Sequence, residues 1–187
     1  MPKFLGVYVL AIAIFCGLAF EGRPALTPSR ATTAPRSIGG PAELHYAPGE
    51  DLESIDAALI GEAVKQIDMA AYVLTDRAVI EALRGAAARG VKVRIWRDAG
   101  MAAKVGDSDV EAQLGGPIQG LEIRSESPGG ELMHLKDYCV DHHLLRTGSA
   151  NFSRSGETRQ DNDLVALRGE SVCAGFDAKF DRAWARS

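Results

Sequence analysis

No tandem repeat at a fixed period runs through this 187-residue sequence, which removes solenoid and propeller architectures. It has no surplus of positive charge: the formal net charge is −4. The chain as a whole therefore has no general attraction for nucleic acid or anionic membrane, and contact with a polyanion needs a local basic patch. Arg84, Arg89, Lys92, Arg94 and Arg97 upstream, and Arg146, Arg154 and Arg159 downstream, are the candidates, although scattered surface cations are mostly just solvated. Cysteine is scarce. Of three, Cys16 lies in the N-terminal apolar run, leaving Cys139 and Cys173, too few for a disulfide framework. Two buried thiols is the preferred reading of that pair, and a Cys139–Cys173 disulfide in an oxidising compartment is the alternative. No Cys, His and Asp cluster has metal-ligand spacing, and the adjacent His142-His143 is poorly placed for joint coordination. An interfacial amphipathic helix with exposed aromatics is also missing.

What remains is ordinary for a globular protein, with 46% hydrophobic and 25% charged residues. The length suits one domain with extra sequence at its N-terminus. Residues 1–21 read as a signal peptide or membrane anchor: Lys3 precedes an apolar run from Phe4 to Phe20. That run lacks a clear small-x-small cleavage site, so export is expected, with cleavage and tethering both open. Residues 22–43, rich in Pro, Ser, Thr and Ala, read as a disordered linker. Residues 44–187 are the expected folded domain.

Hydrophobic spacing predicts the domain's elements. Leu52, Ile55, Leu59, Ala63 and Ile67 mark a helix over 51–66 with Asp51 as N-cap. The apolar run 68–74 predicts a buried strand, and Thr75 or Asp76 caps a second helix that stops at Gly90. Val91 to Arg97 alternates as a strand with one buried face, completing a βαβ unit. A loop over 98–107, a short helix over 108–114 and a strand over 121–124 follow. A Gly/Pro/Ser loop then leads to a strand over 133–140. Its hairpin partner is 144–147, a final core strand spans 164–167, and a closing helix carries Val172, Phe176, Phe180 and Trp184 four apart. The predicted fold class is α/β: a mixed, mostly parallel sheet flanked by helices on both faces.

The chemistry concentrates near the C-terminus, in His134-Leu135-Lys136, Asp141 and Gly148-Ser149-Ala150-Asn151. Residues two apart on a strand share a face, so His134 and Lys136 are expected side by side. A lone histidine there would be an unremarked core residue, but a buried lysine beside it is costly without an anionic partner. A Gly-Ser turn ending in Asn adds a hydroxyl, an amide and backbone N–H groups. Together they suit a phosphate site that cleaves a phosphodiester without a metal.

These segments, "MHLKDYCVD" and "GSANFSRSGE", resemble the phospholipase D superfamily in its single-motif form, and in particular its bacterial endonuclease-like branch. Upstream, "IDMAAYVLTDRAVIEALRGAAARGVKVRIWRD" is similar to the branch's opening strand, helix and strand, so the likeness runs from about Ala47 to the end. The resemblance implies that His134 attacks phosphorus and forms a phosphohistidine. It also implies that Lys136 and Asn151 hold the non-bridging oxygens with help from Ser149, and that no cofactor is required. Strand parity gives Asp141 a supporting hydrogen-bond role. Where related nucleases carry an acid that orients the histidine, this chain reads Gln160-Asp161-Asn162-Asp163. The aligned residue is Asn162, and Asp161 or Asp163 could serve after a one-residue shift. With a single His-x-Lys set, the second histidine of the family mechanism implies a homodimer whose active site lies across the two-fold axis. The implied substrate is DNA or RNA. A phospholipase D acting on lipid head groups and a weakly active phosphate- or nucleic-acid-binding module are the alternatives.

Overall fold

The computed structural model describes residues 40–126 and 132–187, so the predicted leader and most of the predicted linker lie outside the described residues. Seven strands form one sheet in the order β1 (Ala42–Ala47), β7 (Asn162–Arg168), β6 (Leu144–Gly148), β5 (Lys136–Val140), β2 (Gln66–Ala71), β3 (Lys92–Arg97) and β4 (Leu121–Ser125). The first half is the expected βαβ unit. Asp51 caps α1 (Leu52–Gly61) by accepting from the Ser54 N–H and hydroxyl. β2 (Gln66–Ala71) is nearly all buried, as suits a central strand. Asp76 caps α2 (Arg77–Ala88) through the Ala78 and Val79 N–H groups. β3 (Lys92–Arg97) and β4 (Leu121–Ser125) then add in parallel.

The second half runs the other way. β5 (Lys136–Val140) pairs antiparallel with β2, and β6 (Leu144–Gly148), β7 (Asn162–Arg168) and β1 (Ala42–Ala47) continue antiparallel. The sheet is mixed and helix-flanked as expected, but it is mostly antiparallel, not mostly parallel. β5 and β6 are joined by a tight hairpin turn, which can connect only antiparallel strands, and the longer β6–β7 connection, which holds α5 (Arg154–Thr158), likewise returns β7 antiparallel.

Helices cover both faces. Alternation along β5 sends Tyr138 and Val140 into the core under α1 and α2, and Cys139 into the core under α6 (Ala174–Trp184). On the α6 side Phe176, Phe180 and Trp184 stack in succession, with the Arg94 guanidinium over the last two rings. Because Cys139 faces the start of α6, it meets Cys173 and the two form a disulfide with Cα atoms 5.9 Å apart. This corrects the preferred reading of two free thiols.

Four other expectations change. β1 starts at Ala42, so Ala42 and Glu43 belong to the sheet and not to the linker. Residues expected as a loop form α3 (Ala99–Val105), because Asp98 caps it through the Met101 N–H, and a 3-10 turn then leads to α4 (Val110–Leu114). α1 stops at Gly61, earlier than its hydrophobic spacing suggests. The motif strand is shorter than 133–140 and begins at Lys136, which leaves His134 on the approach to it.

Candidate active site

Lys136, the first residue of β5, pairs with Ala71, the last residue of β2. Just beyond, the Tyr72 N–H donates to the Leu135 carbonyl, so the approach to β5 is pinned to the end of the sheet. This pinning keeps His134 and Lys136 together although His134 is not in the strand. The Lys136 ammonium lies 3.0 and 3.2 Å from the two ring nitrogens of His134 and donates to the His134 carbonyl at 2.7 Å. The Tyr72 ring leans on the imidazole, centroids 4.4 Å apart, and sits 4.8 Å from the ammonium. Lys136 is buried and His134 is exposed. Burial lowers the Lys136 pKa from the ordinary lysine value, and Asp137 partly offsets that. A cation held out of water, with no carboxylate bonded to its ammonium among the described residues, favours an incoming anion.

The Gly-Ser turn follows β6 at the same end of the sheet. Gly148 has φ 144°, and a Cβ there would come within 2.4 Å of the Asp163 carbonyl oxygen. Glycine is required both by the positive φ and by the approach of β7. Gly148→Ala is therefore expected to push Ser149 and Asn151 away from β7 and to lower phosphodiester turnover by about 100-fold or more. The strained φ and the backbone contact should also lower the melting temperature, and parallel rate and melting measurements separate the two effects. Ser149 donates its hydroxyl to Asp163 Oδ1 and accepts from the Asp163 N–H at 2.9 Å. Asn151 Oδ1 is buried with no hydrogen-bond partner among the described residues. Such an unmet acceptor costs about 1–3 kcal/mol, and it is the Nδ2 group of the same amide that can donate to an anion.

The remaining candidates fall elsewhere. Asp141 sits at the other end of β5, beyond Val140. It accepts from the N–H groups of Val64, Lys65 and Gln66 at 2.9, 2.8 and 2.7 Å. Those are the donors α1 would have used to continue, which is why it ends early. Partial burial works to raise the Asp141 pKa, and the three N–H groups outweigh it and hold it below the ordinary value. Asp141 is thus a loop anchor at the far end of β5 from His134 and is not brought to the site. Asp163 is bound to Ser149, and Asp161 is exposed in the turn before β7; neither bonds His134 among the described residues. Asn162 donates to the Gly156 carbonyl at 3.0 Å. The expected acid that orients the histidine is therefore supplied by none of the three.

Carboxyl groups that sequence reading passed over stand nearby. Glu126 lines a cavity of about 550 Å³ beside His134, together with Trp96, Met133, Leu135, Lys179 and Arg186. Burial, then a hydrogen bond with Asp98, pushes Glu126 up to about 7. No local signal marked it, since it opens a Gly/Pro/Ser loop. Beneath the site, Arg146, Asp56 and Glu157 are fully buried. Arg146 takes both Asp56 oxygens, at 3.0 and 2.8 Å, and lies 3.5 Å from Glu157. One guanidinium neutralises one carboxylate. Burial and then the Asp56 charge accordingly push Glu157 up to about 9.

Between the ordinary glutamate value of 4.5 and about 9, the unfolded chain has lost this proton and the folded one keeps it. The Glu157 contribution to stability is thus complete below the lower value and declines as pH rises, by at most about 1.4 kcal/mol per pH unit. Glu157→Gln, neutral throughout, is expected to remove that slope. Urea midpoints of both proteins at pH 6 and pH 9 measure it.

Among the described residues, Cys139, His142 and Asp177 form a cluster of potential metal donors, but the Cys139 sulfur is committed to the disulfide and His142 pairs with Asp177 at 2.8 Å.

Comparison with known proteins follows the same lines. Residues 57–184 match the family described as "Cardiolipin synthase, PLD-like domain". A mitochondrial cardiolipin hydrolase from Chlamydomonas reinhardtii is 27% identical over 126 residues, 67% of this chain and 54% of the relative, so the chain spans about half of that protein's length. Nuc from Salmonella typhimurium, a phospholipase D family member, superposes with a TM-score of 0.68 at 24% identity over 78% of this chain and 95% of its own. NucT from Helicobacter pylori gives 0.70 at 19% identity over 78% and 96%. These two likenesses establish the fold.

Proposed function

Since the chain belongs to the phospholipase D-like domain family, we propose that it is a metal-independent phosphodiesterase working through a phosphohistidine, with nucleic acid as its substrate. The observation that carries this reading is the buried Lys136 ammonium against the exposed His134 ring. A ring nitrogen of His134 attacks phosphorus, the N–P bond forms and the P–O bond to the leaving group breaks. The leaving oxygen takes a proton from a second histidine, which then accepts a proton from water as that water displaces His134. Lys136 and the Asn151 amide stabilise charge on the non-bridging oxygens, each such donor being worth about 3 kcal/mol. Ser149, tied to Asp163, fixes the turn that carries Asn151.

His134 stands on the only His-x-Lys set of the sequence, so the second histidine is proposed to come from a second copy across a two-fold axis. Export is proposed as well, and a disulfide holding the motif strand supports it, because such bonds persist in oxidising compartments.

Two things support nucleic acid: the motif's likeness to the endonuclease-like branch, and a domain of the same extent as Nuc and NucT. A phospholipid is the second reading. It is favoured by the cavity beside His134, whose walls include Trp96, Met133 and Leu135 and whose cations are Lys179 and Arg186. Incubation with plasmid DNA and, separately, with phosphatidylcholine and cardiolipin vesicles, all in EDTA, decides between them. Nicking of DNA alone supports the first reading, and head-group release alone supports the second. Binding without turnover of either would leave a phosphate-binding module.

A further inference from the structure

The buried guanidinium of Arg146 reaches past its two carboxyl partners to the backbone of the site. Its Nη1 donates to the Lys136 carbonyl at 2.7 Å and to the Ala150 carbonyl at 3.3 Å. Lys136 supplies the ammonium, and the residue after Ala150 is Asn151. One nitrogen thus ties together the backbone of the two segments that carry the anion-holding groups, which are separated by a whole hairpin in sequence. The guanidinium has no freedom to drift. Asp56 holds its Nε and Nη2, the Tyr138 hydroxyl braces Asp56 at 2.8 Å, and the Phe152 ring lies 4.5 Å from the Arg146 Cζ. Arg146 is fully buried, so it does not touch substrate.

We propose that Arg146 is a positioning residue: its fork, aimed by Asp56, sets the distance between the Lys136 ammonium and the Asn151 amide so that both grip one phosphoryl group. Lysine could balance the Asp56 charge but lacks the planar fork that serves carboxylate and carbonyls at once. The inference rests on the phosphodiesterase reading for its kinetic consequence and on geometry for its anion-binding consequence.

The test is Arg146→Lys, with orthovanadate as a probe of the pentacoordinate phosphoryl geometry, its affinity and stoichiometry measured by calorimetry. Hydrolysis of bis(4-nitrophenyl) phosphate in EDTA is followed in parallel. The expected result is vanadate affinity weaker by about 10- to 100-fold and kcat lower by a similar factor, with KM within about threefold, because the misplaced groups act mainly on the transition state. A merely structural role would lower the number of binding sites per chain and leave the affinity of the folded fraction unchanged. Where Arg146→Lys does not fold, Asp56→Asn keeps the guanidinium but loosens its aim, and weaker vanadate binding by about threefold or more is expected. Wild-type vanadate affinity in a folded variant overturns the proposal, as does a wild-type protein that binds no vanadate. A wild-type protein that binds vanadate yet hydrolyses neither the diester nor DNA overturns the phosphodiesterase reading and leaves the clamp to be judged by affinity.

Discussion

His134→Ala is expected to lower phosphodiester turnover by about 10⁴-fold or more while leaving the unfolding midpoint within about 0.5 kcal/mol of wild type. The two halves of this result have separate causes. The imidazole is exposed and precedes β5, so its removal opens no cavity and breaks no ladder bond. Among the described residues its contacts are with the Tyr72 ring and the Lys136 ammonium, and both groups keep other partners when it goes. In the proposed chemistry, by contrast, the ring is the atom source for the bond to phosphorus. Without it no covalent path exists, and the residual rate comes only from Lys136 and Asn151 polarising a phosphate that water attacks unaided. Initial rates in EDTA together with urea unfolding check both halves. A variant with more than a tenth of wild-type activity would remove His134 as nucleophile. In a two-fold assembly, mixing His134→Ala with wild-type chains should give hybrid dimers that are also inactive, since each site needs an imidazole from both copies.

The second large effect is on stability. Opening the Cys139–Cys173 disulfide is expected to cost about 4 kcal/mol on a chain-entropy estimate for a sequence separation of 34. For a domain of this size that corresponds to roughly 10 °C in melting temperature. The bond joins the middle of β5 to the start of α6, so the motif strand and the aromatic stack on the outer face lose their common tie together. Both sulfurs are buried, so reductant should act only after the protein begins to open. Cys173→Ser and the reduced wild type should therefore share one urea midpoint, well below that of the oxidised protein. Equal midpoints for all three would show that the staple adds nothing.

Much of this was legible in the sequence because it was local. Asp51 and Asp76 announced their helices, the alternation of 91–97 announced β3, and Val172, Phe176, Phe180 and Trp184 announced α6. His134, Lys136 and the Gly-Ser turn stood out by spacing. What escaped notice depended on distant partners. β1 is short and mostly exposed, and only pairing with β7 makes it a strand. α1 ends early because Asp141, far along the chain, takes its donors. The Arg146, Asp56 and Glu157 cluster draws on a strand and two helices, and no spacing rule connects them. Arg146, a basic-patch candidate by its place in the sequence, is fully buried and cannot join such a patch. Asp98 and Glu126 meet only because β3 and β4 lie side by side.

The short strand β5 has the candidate nucleophile His134 on its approach and an anchor, Asp141, beyond its far end, and this separates the expected consequences of damage to either. Loss of the Asp141 carboxylate frees the backbone of Val64, Lys65 and Gln66 without touching His134. In a growing cell a lesion there would behave as a conditional allele, silent in the cold and defective in the heat. In the proposed chemistry a lesion at His134 removes activity at every temperature, so one brief motif would hold two genetic classes.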